Sequence, residues 1–358
     1  MNLYFMRIYP QRLNCTYCIK QLKERLLDWN HSKNKPKNLE IQSNYFSSSC
    51  DILVYSQGGE EMKQYIGDGM LLITAIIWGS GFVVTAIALE YLTAYQVMAG
   101  RFVLATLILI ILFGYKFKKF TKNVMWKGAL LGTFLYIGFA LQTVGLEYTT
   151  PSKNAFLTAV NVVIVPIIAY LIYKRRIDRY EIIGSILAIV GIGFLSMQGS
   201  MKMNIGDALS LACAVAFAFD IFYTNLFVQK EDAISLTIVQ FITAALLSVI
   251  SVLMQGDIPT TIETEAMYSI VYLAVFSTTV AYLFQNMAHQ YTTATKAAIL
   301  LSTESFFGML LSVLFLHEVL TGRMVTGAML IMVAILIAEV KPSFQKKQTV
   351  KNHVREIR

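Results

Sequence analysis

The residues able to do chemistry in this chain are few and lie inside long apolar runs. Glu304 is the sharpest case. As a helix rising about 1.5 Å per residue, its run places the carboxyl near mid-bilayer, about ten residues in. An ionised carboxylate there is costly, so such an acid faces a cavity, a partner or a proton path. The bland alternative is a protonated Glu hydrogen-bonded to a neighbouring helix. Asp220, about two-thirds of the way into its own run, carries a proton, meets a cationic substrate or is a paired structural acid. Arg101, nearer the outer surface, snorkels, sits in a structural pair or contacts an anionic substrate.

Around these charges stand polar stripes at helical spacing. Asn154, Thr158 and Asn161 fall at i, i+4 and i+7, and Thr278, Tyr282, Gln285 and His289 continue the same logic to i+11. Thr74, Trp78, Gly81 and Thr85 repeat it. Such stripes cannot face lipid without leaving donors unpaired, so they line a cavity or pack against another helix. Trp78 lies too deep for an interfacial belt and packs internally or stacks on a ligand; Tyr136 is a candidate of the same kind.

The elements that must position these residues follow from composition. Of 358 residues, 56% are hydrophobic and 15% charged, with a mean hydropathy of +0.57. A soluble globular chain carries about 25% charged residues. Ten apolar segments, at 69–89, 95–115, 124–146, 152–173, 180–198, 205–228, 234–254, 266–288, 294–316 and 321–340, are each long enough to cross a hydrocarbon core of about 30 Å as a helix. The fold class is therefore an all-α integral membrane protein with a lipid bilayer as its solvent. Soluble enzymes, disordered chains and secreted disulfide scaffolds are excluded.

The connections fix an orientation. Lys63, Lys116, Lys118, Lys119, Lys122, Lys127, Lys174, Arg175, Arg176, Arg179, Lys230, Lys296 and six residues of the basic tail 341–358 make 18 basic residues on one side, against Lys153, Lys202 and Arg323 on the other. The positive-inside rule then puts both termini in the cytoplasm of a multi-pass plasma-membrane protein.

The two halves repeat. Gln142, Tyr148, Thr149, Thr150, Lys153, Ala155 and Leu157 recur 143 residues later as Gln285, Tyr291, Thr292, Thr293, Lys296, Ala298 and Leu300. An offset of 139 pairs Gly67 and Asp68 with Gly206 and Asp207, Gly81 with Asp220, and Arg101 with Gln240. Asn161 is the mate of Glu304. Five helices per half, 63–198 and 199–340, is an odd number, so the second repeat enters the membrane inverted. That arrangement is a transporter signature with the substrate site near the midplane.

Trp78-Gly79-Ser80-Gly81-Phe82, Arg101-Phe102-x-x-Ala105, and Glu304 with Glu318 at the two ends of the ninth helix resemble an EamA-type member of the drug/metabolite transporter superfamily. The segment from Gly145 to Leu157 is similar to its bacterial branch, and the resemblance covers residues 63 to about 340. It implies export or exchange of small metabolites by alternating access, with substrates too varied within the family to transfer. The family often follows the ninth-helix Glu with Pro; Ser305 stands here, which removes the residue expected to kink that helix.

Other chemistries find little to work with. There is no Gly-rich phosphate loop ending in Lys-Ser/Thr, no His-Glu-x-x-His and no Gly-x-Ser-x-Gly. Cys15-x-x-Cys18 lacks a partner pair, so neither a metal nor a cofactor is expected, and no basic, aromatic-interleaved domain suggests nucleic acid. The runner-up class is a membrane-embedded enzyme or channel. The polar segment 1–62 is expected to contribute one weak helix near Ile19–Trp29. Gly58-Gly59-Glu60-Glu61 necessarily encodes a purine-rich tract ahead of Met62, as a bacterial ribosome-binding site would, so translation is expected to start at Met62; the competing reading is a disordered cytoplasmic arm. The sequence names no oligomeric state.

Overall fold

A computed structural model describes residues 40–174, 177–196, 203–256, 262–288, 291–292 and 294–340. The chain divides into two units, Met1–Glu61 and Met62–Arg358, and the second carries every span described below. Among the described residues, ten helices are long and apolar enough to cross a membrane. They are α1 (Gln64–Leu89), α2 (Ala94–Lys118), α3 (Lys122–Leu146), α4 (Pro151–Tyr173), α5 (Arg179–Ser196), α6 (Ile205–Phe227), α7 (Ala233–Gln255), α8 (Thr264–Ala288), α9 (Ala297–Leu316) and α10 (Gly322–Glu339). The protein is thus a ten-span, all-helical membrane protein, with the expected segments displaced by a few residues at their ends.

Residues 40–63, ahead of α1, are also helical. The weak helix expected at Ile19–Trp29 and the cysteine pair lie outside the described residues.

Local chemistry starts most spans. Thr93 forms a capping box with Gln96, and the side chains of Thr121, Thr150, Asn204 and Asp232 each accept a hydrogen bond from the first turn of the helix that follows. Each such cap stabilises its helix by about 1 kcal/mol. Pro151 then occupies the first position of α4, where its missing N–H costs nothing.

Hydrogen bonds tie alternate connections together and define two ends of the bundle. At the basic end, Lys116 pairs with Asp232 at 3.0 Å and Lys127 with Glu231 at 2.5 Å, joining the α2–α3 and α6–α7 regions. At the opposite end, Glu147 accepts from the Ala94 N–H at 3.3 Å, and Asn204 donates to the Tyr148 carbonyl. One core gathers Met98, Phe102, Leu135, Phe139, Ile238 and Phe241 from α2, α3 and α7; another gathers Phe156, Leu157, Ala188, Ile331 and Ile335 from α4, α5 and α10. Gly128 and Gly132, whose spacing permits close helix approach, do so against α7: a Cβ at Gly132 would fall 2.4 Å from the Gln240 carbonyl oxygen.

Four of the described spans depart from regular helix: α2 ends in a 3-10 stretch from Gly114, and three others change nearer mid-span. α4 is interrupted at Val160, between Pro151–Ala159 and Asn161–Tyr173. α9 is interrupted at Thr303, between Ala294–Ser302 and Glu304–Leu316. The two breaks are 143 residues apart and have similar geometry, with ψ of −17° at Val160 and −9° at Thr303. Ser305 therefore did not leave α9 unbroken. Hydroxyls replace the proline: Ser302 Oγ donates to the Ala298 carbonyl (2.7 Å) and Thr303 Oγ1 to that of Leu300 (2.6 Å), drawing acceptors away from the helix ladder. In α8, residues Leu273–Val280 form a π-helix, where Thr278 and Thr279 hydroxyls donate five residues back, to Leu273 and Ala274.

Candidate functional site: a polar cavity at two broken helices

A cavity of about 710 Å³ is lined mainly by α1, α2, α3, α4, α6, α7, α8 and α9, with Glu181 of α5 and Ala338 and Glu339 of α10 also on its wall. Toward the basic end its walls include the exposed Asn225, Val228 and Gln229; toward the other they end at the buried Thr85, Thr143 and Leu146. The cavity therefore opens at the basic end.

Of the nine residues singled out by the sequence, the seven other than Arg101 and Tyr136 can be followed along these walls as two groups. Asn161 and Glu304 are the first residues after the breaks, so each sits at the start of a half-helix at mid-span. The unpaired N–H groups and positive dipole end of a half-helix favour negative charge there, by about 0.3–1 kcal/mol for an ordinary surface case. Both side chains line the cavity, and among the described residues neither makes a hydrogen bond. Thr158 also lines it, accepting from Gln142 Nε2 at 3.2 Å and sharing a hydrogen bond with the Cys213 thiol at 3.2 Å. Asp220 is buried and accepts from Gln240 Nε2 at 2.9 Å, which makes it a paired acid on the wall.

The aromatic group is held by α8. Trp78 Nε1 donates to the Ser277 carbonyl at 2.9 Å, and its ring meets Tyr282 edge-on at 5.5 Å between centroids. Tyr282 in turn meets Phe241 edge-on at 5.2 Å. Tyr282 and Gln285 line the cavity, and the Tyr282 ring stands within electrostatic range of Asp220, Arg101 and Glu304. Trp78 thus packs and lines the wall at once.

Arg101 does not snorkel. It is 5% exposed and reaches the cavity wall, with its guanidinium 4.2 Å from the centre of the Phe139 ring. Its Nε donates to Thr278 Oγ1 at 2.6 Å and its Nη2 to Ser277 Oγ at 3.1 Å. The structure leaves Tyr136 outside the cavity walls; its hydroxyl bonds to Ser251 of α7 instead.

The stripes divide. Thr74 bonds to the Met70 carbonyl, and Asn154 bonds to the Gln142 carbonyl and Ser210, so both are packing residues. Thr278 gives up its expected place to Ser277, because the wide π-turn brings two consecutive hydroxyls onto Arg101. Ser277 had no sequence signal. The glycines of the Trp78–Phe82 motif did: a Cβ at Gly81 would fall 2.7 Å from Ser277 Oγ, and one at Gly79 would fall 2.8 Å from the Glu304 carbonyl oxygen. They are what lets α1 reach both α8 and the break in α9. His289 lies outside the described residues.

At the closed end, the first turn of α4 is clasped from two sides. Glu318 Oε2 accepts from Ser152 Oγ at 2.6 Å and from Ser312 Oγ at 2.5 Å. Lys153 pairs with Asp207 at 3.5 Å, with side chains 5% and 0% exposed, and Asp207 also accepts from Thr149 at 2.5 Å. No group of three or more His, Cys, Asp or Glu residues capable of holding a metal occurs among the described residues.

A multi-pass helical bundle around a mid-span cavity with a mouth at one end is the architecture of a membrane carrier. The chain belongs to the EamA-like transporter family, whose pattern it matches twice, over residues 65–197 and 204–339. It is 33% identical over 302 residues to a protein of Archaeoglobus fulgidus named an uncharacterized transporter, covering 84% of this chain and 94% of that one. It is 26% identical to a probable amino-acid metabolite efflux pump of Salmonella typhimurium, over 75% of this chain and 94% of the other. A solved crystal structure shares the fold at a TM-score of 0.55 and 14% identity, covering 78% of this chain and 98% of that chain. The protein is a membrane transporter, and its family is not one of enzymes.

Proposed function

We propose that the protein is a secondary transporter that exports or exchanges a small metabolite or drug-like compound across the plasma membrane by alternating access. The observation that carries this reading is the pair of matched breaks, at Val160 and Thr303, in two helices that pack together at the wall of a cavity with one open mouth, where Ser305 Oγ donates to the Ala155 carbonyl at 3.2 Å. Broken helices at the midplane, brought together from two repeats, are how carriers place substrate and coupling groups. Their fixed offset, five spans in each family match, and the left-handed residues Lys174 and His317 ending α4 and α9, again 143 apart, support two inverted repeats. With the basic end facing the cytoplasm, the conformation described is the inward-open one. The name of the Salmonella relative makes amino-acid metabolites the first compounds to try.

Glu304 is the coupling residue in this scheme, because it meets the cavity without a hydrogen-bonding partner among the described residues. Glu304→Gln keeps shape and one acceptor oxygen. In proteoliposomes loaded with candidate metabolites, the wild type should show trans-stimulated counterflow, and the Gln variant should keep exchange while losing proton-driven uphill transport. Flux without trans-stimulation would identify a channel instead, and uphill transport by the Gln variant would make Glu304 structural.

A further inference from the structure

We infer that Arg101 is a receptor for a substrate carboxylate. The inference rests on the transporter reading above and narrows its substrate class. A cation inside a membrane helix costs up to about 3 kcal/mol even on lenient insertion scales, and Arg101, in the first third of Ala94–Lys118, is buried, so it needs an anion or a good substitute. Among the described residues no carboxylate lies within ion-pair distance of Arg101. Its partners are two neutral hydroxyls and an aromatic face.

Those partners use only part of the guanidinium. A guanidinium presents five N–H groups in a plane, and Nε with Nη2 forms one of its two-pronged edges. That edge is filled by Thr278 and Ser277, whose positions the π-turn sets. The ring of Phe139 covers one face at 4.2 Å. The edge formed by Nη1 and Nη2 has no partner among the described residues, and Arg101 is part of the cavity wall. Two parallel N–H groups in that plane match the two oxygens of a carboxylate.

Charge narrows the class further. Arg101 is the one cationic side chain among the described cavity walls, so a single carboxylate finds one matching charge there, whereas a doubly charged phosphate would leave a charge uncompensated. Trp78, Phe82, Phe139, Phe217 and Tyr282 supply an apolar surround for the rest of the molecule. The ligand is a small organic monocarboxylate, bearing an amine or not.

The test uses the purified full chain in detergent at fixed ionic strength, and butyrate, benzoate and 3-phenylpropanoate, each beside its primary amide. Binding is read from the shift in Tm across a concentration series. At least one acid should stabilise the wild type while its amide does not. Arg101→Gln should weaken that acid at least tenfold; Phe139→Leu, which leaves the charge in place, should weaken it about threefold. Should the Gln variant not fold, Arg101→Lys keeps the charge but loses the fork, and should bind the acid several-fold more weakly with the amide still ignored. Equal response to acids and amides, no response to any acid, or wild-type affinity in the Arg101 variants overturns the proposal. Binding needs no flux: acid-selective binding without counterflow would leave the receptor standing and remove the carrier reading, whereas counterflow unchanged by loss of Arg101 would remove the receptor alone.

Discussion

At the closed end of the bundle, Gly206 of α6 lies so near the α3–α4 connection that a Cβ there would fall 2.6 Å from the Gly145 carbonyl oxygen, 2.7 Å from the Tyr148 carbonyl carbon and 2.8 Å from the Thr149 nitrogen. At the basic end its repeat mate Gly67 meets the equivalent pieces of the α8–α9 region more loosely, at 3.0 Å from Tyr291 Cβ, 3.4 Å from the Ala288 carbonyl oxygen and 3.7 Å from the Tyr291 carbonyl carbon. The hydrogen bonds follow suit. Thr149 donates to Asp207 at 2.5 Å, and the mates Thr292 and Asp68 make the same bond at 3.0 Å. Equivalent parts in two packings suit the alternating-access reading proposed above, in which each junction would be a closed gate in one state and a slack one in the other. The looser junction is the one beside the open mouth, whose wall includes Thr292.

The comparison can be broken at its strongest bond. Asp207→Asn leaves Lys153 buried and without its charge partner, and removing one member of a buried pair costs about 3–5 kcal/mol. Asp68→Asn, at a half-buried position, should cost well under half as much. Denaturation in detergent measures both, and adding Lys153→Met to Asp207→Asn should recover most of the loss. Equal costs at the two ends would mean that the junctions are not in different states.

Glycine sharpens it. Gly206→Ala must push backbone aside and should destabilise by about 1–3 kcal/mol. Gly67→Ala has more room and gains up to about 1 kcal/mol of helix propensity, so it should stay within about 1 kcal/mol of wild type. The same melts decide this, and outside labelling of a cavity cysteine should rise for Gly206→Ala alone.

The smallest effect is electrostatic. Partial burial alone would raise the Asp232 carboxyl, but bonds from Lys116 and Ser235 outweigh it and hold the group down at about 2. A carboxyl lowered on folding stabilises above its unfolded value near 3.9 and loses that contribution as pH falls toward the folded one. Lys116→Met should therefore cost a constant amount, under about 1 kcal/mol, from pH 5 to 8, and the difference should shrink only below pH 4. A difference that changes between pH 5 and 8 would show that this tie at the basic end depends on another group.

What the sequence could reveal followed from periodicity. Spans, connections and the offset of 143 were legible because apolar length and turn chemistry are local properties. Asn161 and Glu304 were found as polar residues at matched depth, but the breaks beside them were hidden: Val160 is an ordinary helix residue, and the hydroxyls that compete for carbonyls at Thr303 do so in many unbroken helices. The π-turn was hidden for a related reason. Leu273–Val280 reads equally well at 3.6 residues per turn, which is why Thr278 was placed on the cavity stripe and Ser277 was not. Tyr136 is the converse case, a polar tip at plausible depth that takes the packing alternative, because its partner, Ser251, is on a helix that spacing within α3 could not reveal.

The size of the void has a consequence for hydration. At about 30 Å³ per molecule, 710 Å³ has room for about two dozen waters. On the proposed reading, a monocarboxylate of about a dozen heavy atoms would displace a minority of that volume, so each turnover would either ferry water with its solute or shrink the chamber as it shuts. Large osmolytes that cannot enter the mouth draw water from the chamber, and osmotic stress thereby becomes a force on the conformational equilibrium, favouring whichever state encloses less solvent.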